Sequence, residues 1–376
     1  SCASTSTLIA AMPASSASLD SAATIASASP VYSIMSSTRT TLLTSAAVTA
    51  AAFTFAMTAP LSPAGAKELK IATFMGPPHY LNRVVFTNLA KAIGKATGGE
   101  TTAKLFASGQ LGKGPVQQFK RVNTNVAEIA FGIQGNTASI FPRSMVLNQP
   151  GVGETAVGIT KKMWAIYDKH LASEYTKIKV MGLWANTPPV ILSRTKLIKK
   201  LSDVKGMKIR ASDSGSVLLM NGWGASGIFI PITGVYDALN KGVVDGSYTA
   251  INALFNPWRF SESVKFVTFG MKAPTTVFWV GMNKKVWNGL PAKSKAAIDG
   301  LTGQQWSIDV AHGWAQPDLV AEKRARKGDV GIKVHDLSPA EAAKFNAASA
   351  KSVEAFLAKN EAKGIPVRAI YAAVTK

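Results

Sequence analysis

Leu201-Ser-Asp-Val-Lys-Gly-Met-Lys-Ile-Arg210, then Gly222-Trp-Gly-Ala-Ser-Gly227, then Val235-Tyr-Asp-Ala-Leu-Asn-Lys-Gly-Val-Val-Asp-Gly246: these three runs carry the fold. The turn at 202–206 opens onto a short apolar strand over 207–211. A helix follows over 216–223, a strand over 228–232 and a second helix over 235–241. Strands and helices alternating at this spacing predict parallel βαβ units, because a parallel neighbour needs a helical crossover.

The same alternation extends in both directions. Residues 69–74 read as a first strand, broken by Met75-Gly-Pro-Pro-His79. Leu81, Val84, Val85, Leu89 and Ile93 then recur at helical spacing until Gly98-Gly99 stops the helix. A strand over 101–107, a helix from Gly112-Lys-Gly-Pro115 to about 123 and a strand over 128–133 follow. Residues 160–171 read as helix, and 177–184 and 190–194 as strands. Residues 275–282 are strongly β-prone, with Val277, Phe278, Trp279 and Val280 in succession. From Pro291 one long helix is expected to about 326, then a short strand over 330–334. Ser338-Pro-Ala-Glu341 supplies a cap, a proline at the first turn and a glutamate able to reach back, so a helix is expected from there to about 363.

The chain has 376 residues, but its first 66 are mostly Ala, Ser and Thr, with Asp20 and Arg39 their only charges. Residues 1–38 read as a low-complexity extension. Residues 39–66 read as a secretory signal: one positive charge, an uncharged apolar stretch from about Leu42 to Ala59, then Ala64-Gly65-Ala66 as a cleavage pattern. Export to the periplasm with cleavage near Ala66 is expected, leaving no stable membrane insertion. The remaining residues are enough for two domains with substantial cores. The single cysteine, Cys2, lies in the segment expected to be lost, which excludes a disulfide scaffold and a thiolate site.

With 42 Lys and Arg against 21 Asp and Glu, the formal net charge is +21. That balance favours anionic partners through long-range attraction, although a solvated basic surface explains it equally. Nucleic acid is not expected, since the lysines are scattered and no zinc spacing occurs. Catalytic equipment is sparse. His79, His170, His312 and His335 are not at metal-ligand spacing. Neither a G-x-S-x-G elbow nor a Walker loop is present, and Gly109-Gln-Leu-Gly-Lys-Gly114 lacks the Lys-Ser/Thr ending that recruits magnesium and phosphate. No catalytic residue, metal or cofactor is assigned, and the chain reads as a binder.

The three opening runs, with Ala107-Ser-Gly-Gln-Leu-Gly112 and Phe141-Pro142, resemble the DctP-like solute-binding proteins of tripartite ATP-independent periplasmic (TRAP) transporters. The resemblance covers residues 68–376, with several motifs in order. It implies an α/β fold of the two-lobed periplasmic binding protein type, with mostly parallel sheets flanked by helices and a long helix bracing both lobes. It implies one lobe of 67–185 plus 275–327 and another of 186–274 plus 328–376, with crossings near 184–187 and 273–276. It further implies a small organic anion as ligand, held in a hydrated cleft that closes hinge-wise, and the membrane permease subunits of a TRAP transporter as partner.

In that family the arginine ending the K-I-R strand grips the ligand carboxylate, and Arg210 holds that position here. A planar guanidinium fork matches carboxylate geometry, which supports the assignment. Where many relatives carry Gln-Glu-Asn, this chain has Ser247-Tyr248-Thr249, so Thr249 replaces the ligand-contacting Asn. A second basic residue has no match in Trp184-Ala-Asn-Thr-Pro-Pro-Val190, which argues against a dicarboxylate or sialic-acid-like ligand. Phe74, Trp184 and Tyr248 lie near expected pocket positions and would suit an aromatic or apolar monocarboxylate, though core packing explains them equally. Gln134 and Asn186, at strand ends, would add polar contacts. Two rivals remain: a solute-binding protein of an ATP-driven importer, and a secreted enzyme acting on a carboxylic acid.

Overall fold

The computed structural model describes residues 66–272 and 274–376. The extension and the leader lie outside these residues, apart from Ala66.

The first sheet is built from β1 (Lys67–Ala72), β2 (Thr101–Phe106), β3 (Ile129–Ile133) and β4 (Ile178–Ala185), with α1 (Thr87–Ala96), α2 (Gln118–Asn123) and α3 (Ala156–Ala165) between them. The chain then crosses into a second sheet of β5 (Val190–Ser193), β6 (Lys208–Ala211), β7 (Ser226–Phe229), β8 (Gly246–Thr249) and β9 (Phe266–Phe269), with α4 (Ser214–Gly222) and α5 (Val235–Asn240). It returns as β10 (Val277–Asn283), followed by α6 (Lys284–Asn288), α7 (Ala292–Leu301) and α8 (Gln304–Arg326). The short strand β11 (Lys333–Asp336) joins the second sheet, and α9 (Pro339–Glu361) and α10 (Val367–Thr375) follow.

Strand order is β2-β1-β3-β10-β4 in one lobe and β11-β9-β5-β8-β6-β7 in the other. Each sheet is parallel except for one strand. β10 runs against β3 and β4, and β5 runs against β8 and β9. These are the two strands that arrive directly from the other lobe, without a crossover helix to restore direction. The expected mostly parallel α/β architecture is therefore present, with its reversals at the crossings.

Both sheets are buried on both faces, which is why β10 and β5 read as continuous apolar runs rather than alternating ones. Along β10, Val277 and Trp279 enter one core while Phe278 and Val280 enter the opposite one. Along β5, Val190 and Leu192 face one core and Ile191 the other. At 23 residues each, α8 and α9 are long enough to join the lobes, about 34 Å at 1.5 Å per residue. α8 places Val310, Ala311 and Trp314 in a first-lobe core and Ala321 and Ala325 in a second-lobe core. α9 does the same on the other faces, with Phe345 in the second lobe and Val353 and Leu357 in the first. Two long helices, α8 and α9, thus reach the cores of both lobes.

Local differences have plain causes. The single helix expected from Pro291 breaks between α7 and α8, where Gly303 takes φ +99°. Ser338 accepts from the Glu341 N–H at 3.2 Å as expected, but the Glu341 carboxylate turns away to accept from Leu201 N–H.

Candidate ligand-binding site between the lobes

Arg210 sits in β6, a strand paired on both sides by β7 and β8, so its backbone is fixed and its side chain enters protein rather than solvent. It is 3 % exposed. Its Nε–H donates to the Ile230 carbonyl at 2.8 Å, which orients the guanidinium and leaves both terminal nitrogens without a partner among the described residues. Asp213 is the near carboxylate, but it is otherwise engaged. Its Oδ1 accepts from Ser216 N–H at 2.9 Å, and its Oδ2 from the Ser216 and Ser212 hydroxyls, which caps α4. Burial pulls the Arg210 pKa down to about 10, with Asp213 opposing, so the group stays cationic at neutral pH. A buried cation with no counter-ion is costly unless an anion arrives to pair with it.

The cavity at Arg210 holds about 50 Å³ and lies where the two chain crossings meet. Asn186 N–H donates to Thr276 O at 2.8 Å, and the Thr275 hydroxyl donates back to Asn186 O, which ties the crossing strands together. Asn186, Ser212, Thr249, Asn252 and Thr276 add polar groups to the cavity wall. The remaining wall is largely apolar and aromatic, from Trp258, Phe278 and Trp314 with Ile232 and Met75. Phe278 and Trp314 stack at 4.6 Å between ring centres. His79 completes the wall from the first lobe. The lobes touch beside the site, where a Cβ on Gly135 would come within 2.5 Å of Asp213 Cβ.

Residues 72–360 match the family of bacterial extracellular solute-binding proteins, family 7 (DctP). The chain belongs to that family. Among curated relatives it is 24 % identical over 314 residues to the outer membrane transporter protein TsaT of Comamonas testosteroni, covering 81 % of this chain and 89 % of that one. Two solved structures share its fold. One is a marine metagenome TRAP solute-binding protein specific for aromatic acid ligands, co-crystallised with 3-hydroxybenzoate, at 24 % identity and TM-score 0.79 over 83 % of this chain and 97 % of that one. The other is a TRAP solute-binding protein from Rhodoferax ferrireducens with copurified benzoate, at 23 % identity and TM-score 0.77 over 82 % and 96 %. The family and these structural neighbours are solute-binding proteins of transport systems.

Of the residues singled out in the sequence of this DctP-family chain, Arg210, Asn186 and Thr249 meet around one cavity. The other four pack behind it. Phe74 stacks on Phe131 at 5.3 Å, and Trp184 stacks on the same ring at 5.6 Å, one layer behind Phe278. Tyr248 points into the core beneath β8, edge-on to Trp223, because its neighbours Ser247 and Thr249 take the opposite face. Gln134 is buried and donates to the Tyr175 hydroxyl at 3.2 Å. The rings that line the cavity are Trp258, Phe278 and Trp314. Phe278 belongs to a strand legible in the sequence, yet nothing local says which of its residues faces the cavity. Trp258 and Trp314 come from a turn and a long helix, brought in by tertiary packing alone. His79 had a weak signal, a histidine ending the Gly-Pro-Pro turn that follows β1.

Larger hollows of about 380 and 500 Å³ meet along Gly151, Lys272 and Asn346. Neither offers a buried unpaired charge, since Arg368 there is exposed and bonded to Glu354 and Glu361. The small cavity is the chemically distinctive one. Among the described residues no cluster of His, Cys, Asp and Glu is placed to hold a metal ion, and no helix is long and apolar enough to cross a membrane.

Proposed function

We propose that the chain captures a small aromatic or apolar monocarboxylate in the periplasm, through a bidentate salt bridge to Arg210, and delivers it to the permease of a TRAP-type secondary transporter. The observation that carries this reading is the buried Arg210 guanidinium, held by Ile230 and lacking a counter-ion, in a cavity walled by Trp258, Phe278 and Trp314. A carboxylate supplies two acceptors matched to the two free nitrogens, and it pairs most strongly where water is excluded. A flat apolar body fills the aromatic side, while the single arginine suits one carboxylate rather than two. The aromatic acids and benzoate bound by the two structural neighbours agree with that class.

Binding needs the lobes to part and close again. The tied crossings at Asn186 and Thr275–Thr276 are the natural pivot, and closure creates a surface that differs from the open form and is readable by a membrane partner. Export with cleavage near Ala66 belongs to the same reading.

The test is thermal denaturation of the chain from Lys67 onward with benzoate, mandelate, phenylacetate and their uncharged amides. A ligand at about 100 times its Kd adds about 2.7 kcal/mol of stability, which moves the melting temperature measurably. The acids are expected to raise it and the amides to leave it unchanged. Arg210→Ala should erase the shift. Equal shifts from benzoate and benzamide, or a full shift in Arg210→Ala, would sink the carboxylate reading.

A further inference from the structure

His79 is the one titratable side chain of the cavity wall besides Arg210. It ends the Gly76-Pro-Pro-His79 turn and is 6 % exposed. The backbone N–H of Leu81 donates to its Nδ1 at 3.2 Å. A backbone N–H can only donate, so Nδ1 carries a lone pair and the proton resides on Nε2. The ring is fixed edge-on between Trp314, at 5.2 Å, and Trp258, at 6.2 Å. Burial lowers its pKa to about 4, so the imidazole is neutral across the physiological range and keeps this tautomer. Among the described residues Nε2–H makes no hydrogen bond, although the ring borders the cavity. Nε2 is not sealed from the cavity, so its N–H is open to water in the free site, and a ligand oxygen can take that water's place in a drier setting.

We infer that His79 is a specificity-determining residue whose Nε2–H donates to an oxygen on the body of the ligand, so that the site prefers hydroxy- or oxo-substituted aromatic acids to unsubstituted ones. The inference rests on the carboxylate reading above and extends it to the first lobe. Arg210 from the second lobe takes the carboxylate, and His79 from the first lobe reads a second oxygen only once the lobes are together. Selectivity and closure are thereby linked. The fixed tautomer also sets the sign of the preference: the ligand oxygen must accept. A carbonyl then serves as well as a hydroxyl, whereas an ammonium or methyl group does not.

Two substitutions separate the roles of the two ring nitrogens. In His79→Gln the side-chain amide nitrogen falls close to the Nε2 position and keeps the donor. In His79→Asn the side-chain oxygen falls close to the Nδ1 position, preserving the bond to Leu81 and the turn but removing the donor. The measurement is calorimetric titration of the parent and both variants with benzoate, 3- and 4-hydroxybenzoate, and 3- and 4-formylbenzoate. In the parent, at least one hydroxy acid and the corresponding formyl acid should bind about five- to tenfold more tightly than benzoate, as one neutral hydrogen bond in a dry site allows. His79→Asn should bind all five acids with equal affinity, whatever its affinity for benzoate itself, while His79→Gln should keep the preference. Unchanged ratios in His79→Asn overturn the assignment of His79 and leave Arg210 standing. Preference for hydroxyl but not formyl overturns the donor role. If none of the acids binds the parent, the carboxylate reading falls and this inference falls with it.

Discussion

Arg210 shows how one side chain can be costly for folding and useful for binding. Its guanidinium loses water on burial and gains one carbonyl, from Ile230, and the field of Asp213, but no direct ion pair among the described residues. Replacing a buried unpaired charge with an apolar side chain of similar length removes that desolvation cost. Arg210→Met is therefore expected to melt at the same temperature as the ligand-free parent or above it, and to lose the response to carboxylates; a large drop in melting temperature would mean the charge is paired in the free protein. Asp318 on α8 is a second buried charge. Its Oδ1 accepts from Asn252 N–H at 2.8 Å while Oδ2 lacks a well-formed bond, and burial raises its pKa from 3.8 to about 6. A carboxyl raised on folding holds its proton longer in the folded state. Its contribution is full below about pH 4 and is lost as pH climbs to about 6. Asp318→Asn, which keeps an acceptor for Asn252, should match the parent at pH 4 and exceed it by about 3 kcal/mol at pH 7, at about 1.4 kcal/mol per pH unit. Denaturant titrations at the two pH values check this, and a constant difference would remove Asp318 from the titration. Arg210 was singled out through the family's K-I-R motif rather than its local pattern, and β6 carries it to the cavity. His79, Trp258 and Trp314 were not, because the cavity is assembled from residues far apart in the chain, and a local pattern carries no information about which of them meet.

At the scale of elements, the long strands were legible and so were four of the six four-residue ones, β5, β6, β7 and β11; β8 and β9 were not. β4 and β10, at eight and seven residues, stand out as apolar runs. β8 and β9, at four residues each, read as Gly-Ser-Tyr-Thr and Phe-Val-Thr-Phe, too short for a period to declare itself. Their strand character comes from β5, which pairs with both. β3 shows the packing that such pairing requires. Gly132 lies opposite Trp279 of β10, and a Cβ there would stand 2.3 Å from the indole ring. That ring is 1 % exposed and held edge-on by Phe119, so it has little room to yield. Gly132→Ala should cost about 1–3 kcal/mol by overpacking. Its unfolding midpoint in urea should fall with an unchanged slope, and Gly132→Ala combined with Trp279→Phe should recover part of the loss. No recovery would mean that the backbone, not the indole, sets the cost.

For the whole molecule, the two long helices decide how far the lobes can move independently. α9 crosses between cores with no glycine and with its one proline, Pro339, at the first turn where no N–H is needed, whereas α8 carries Gly313-Trp-Ala-Gln-Pro317 in its interior. Pro317 has no N–H to offer the Gly313 carbonyl four residues earlier, so one rung of the helix is missing between Trp314 in one lobe and Ala321 in the other. Gly313 cannot be filled cheaply, because Tyr80, the neighbour of His79, lies against it with its hydroxyl 1.9 Å from where a Cβ would be. The weak rung therefore coincides with the joint about which the proposed closure bends. Pro317→Ala restores the hydrogen bond and stiffens α8 without touching the cavity. Stability should rise, by up to about 3 kcal/mol if the backbone relaxes fully. The rate of carboxylate association should fall several-fold, because a straightened brace resists the bending that admits the ligand. Stopped-flow tryptophan fluorescence, reporting Trp258 and Trp314, measures that rate. A more stable variant with an unchanged rate would place the bending in the tied crossings at Asn186 and Thr275 alone, with α8 moving as a rigid rod.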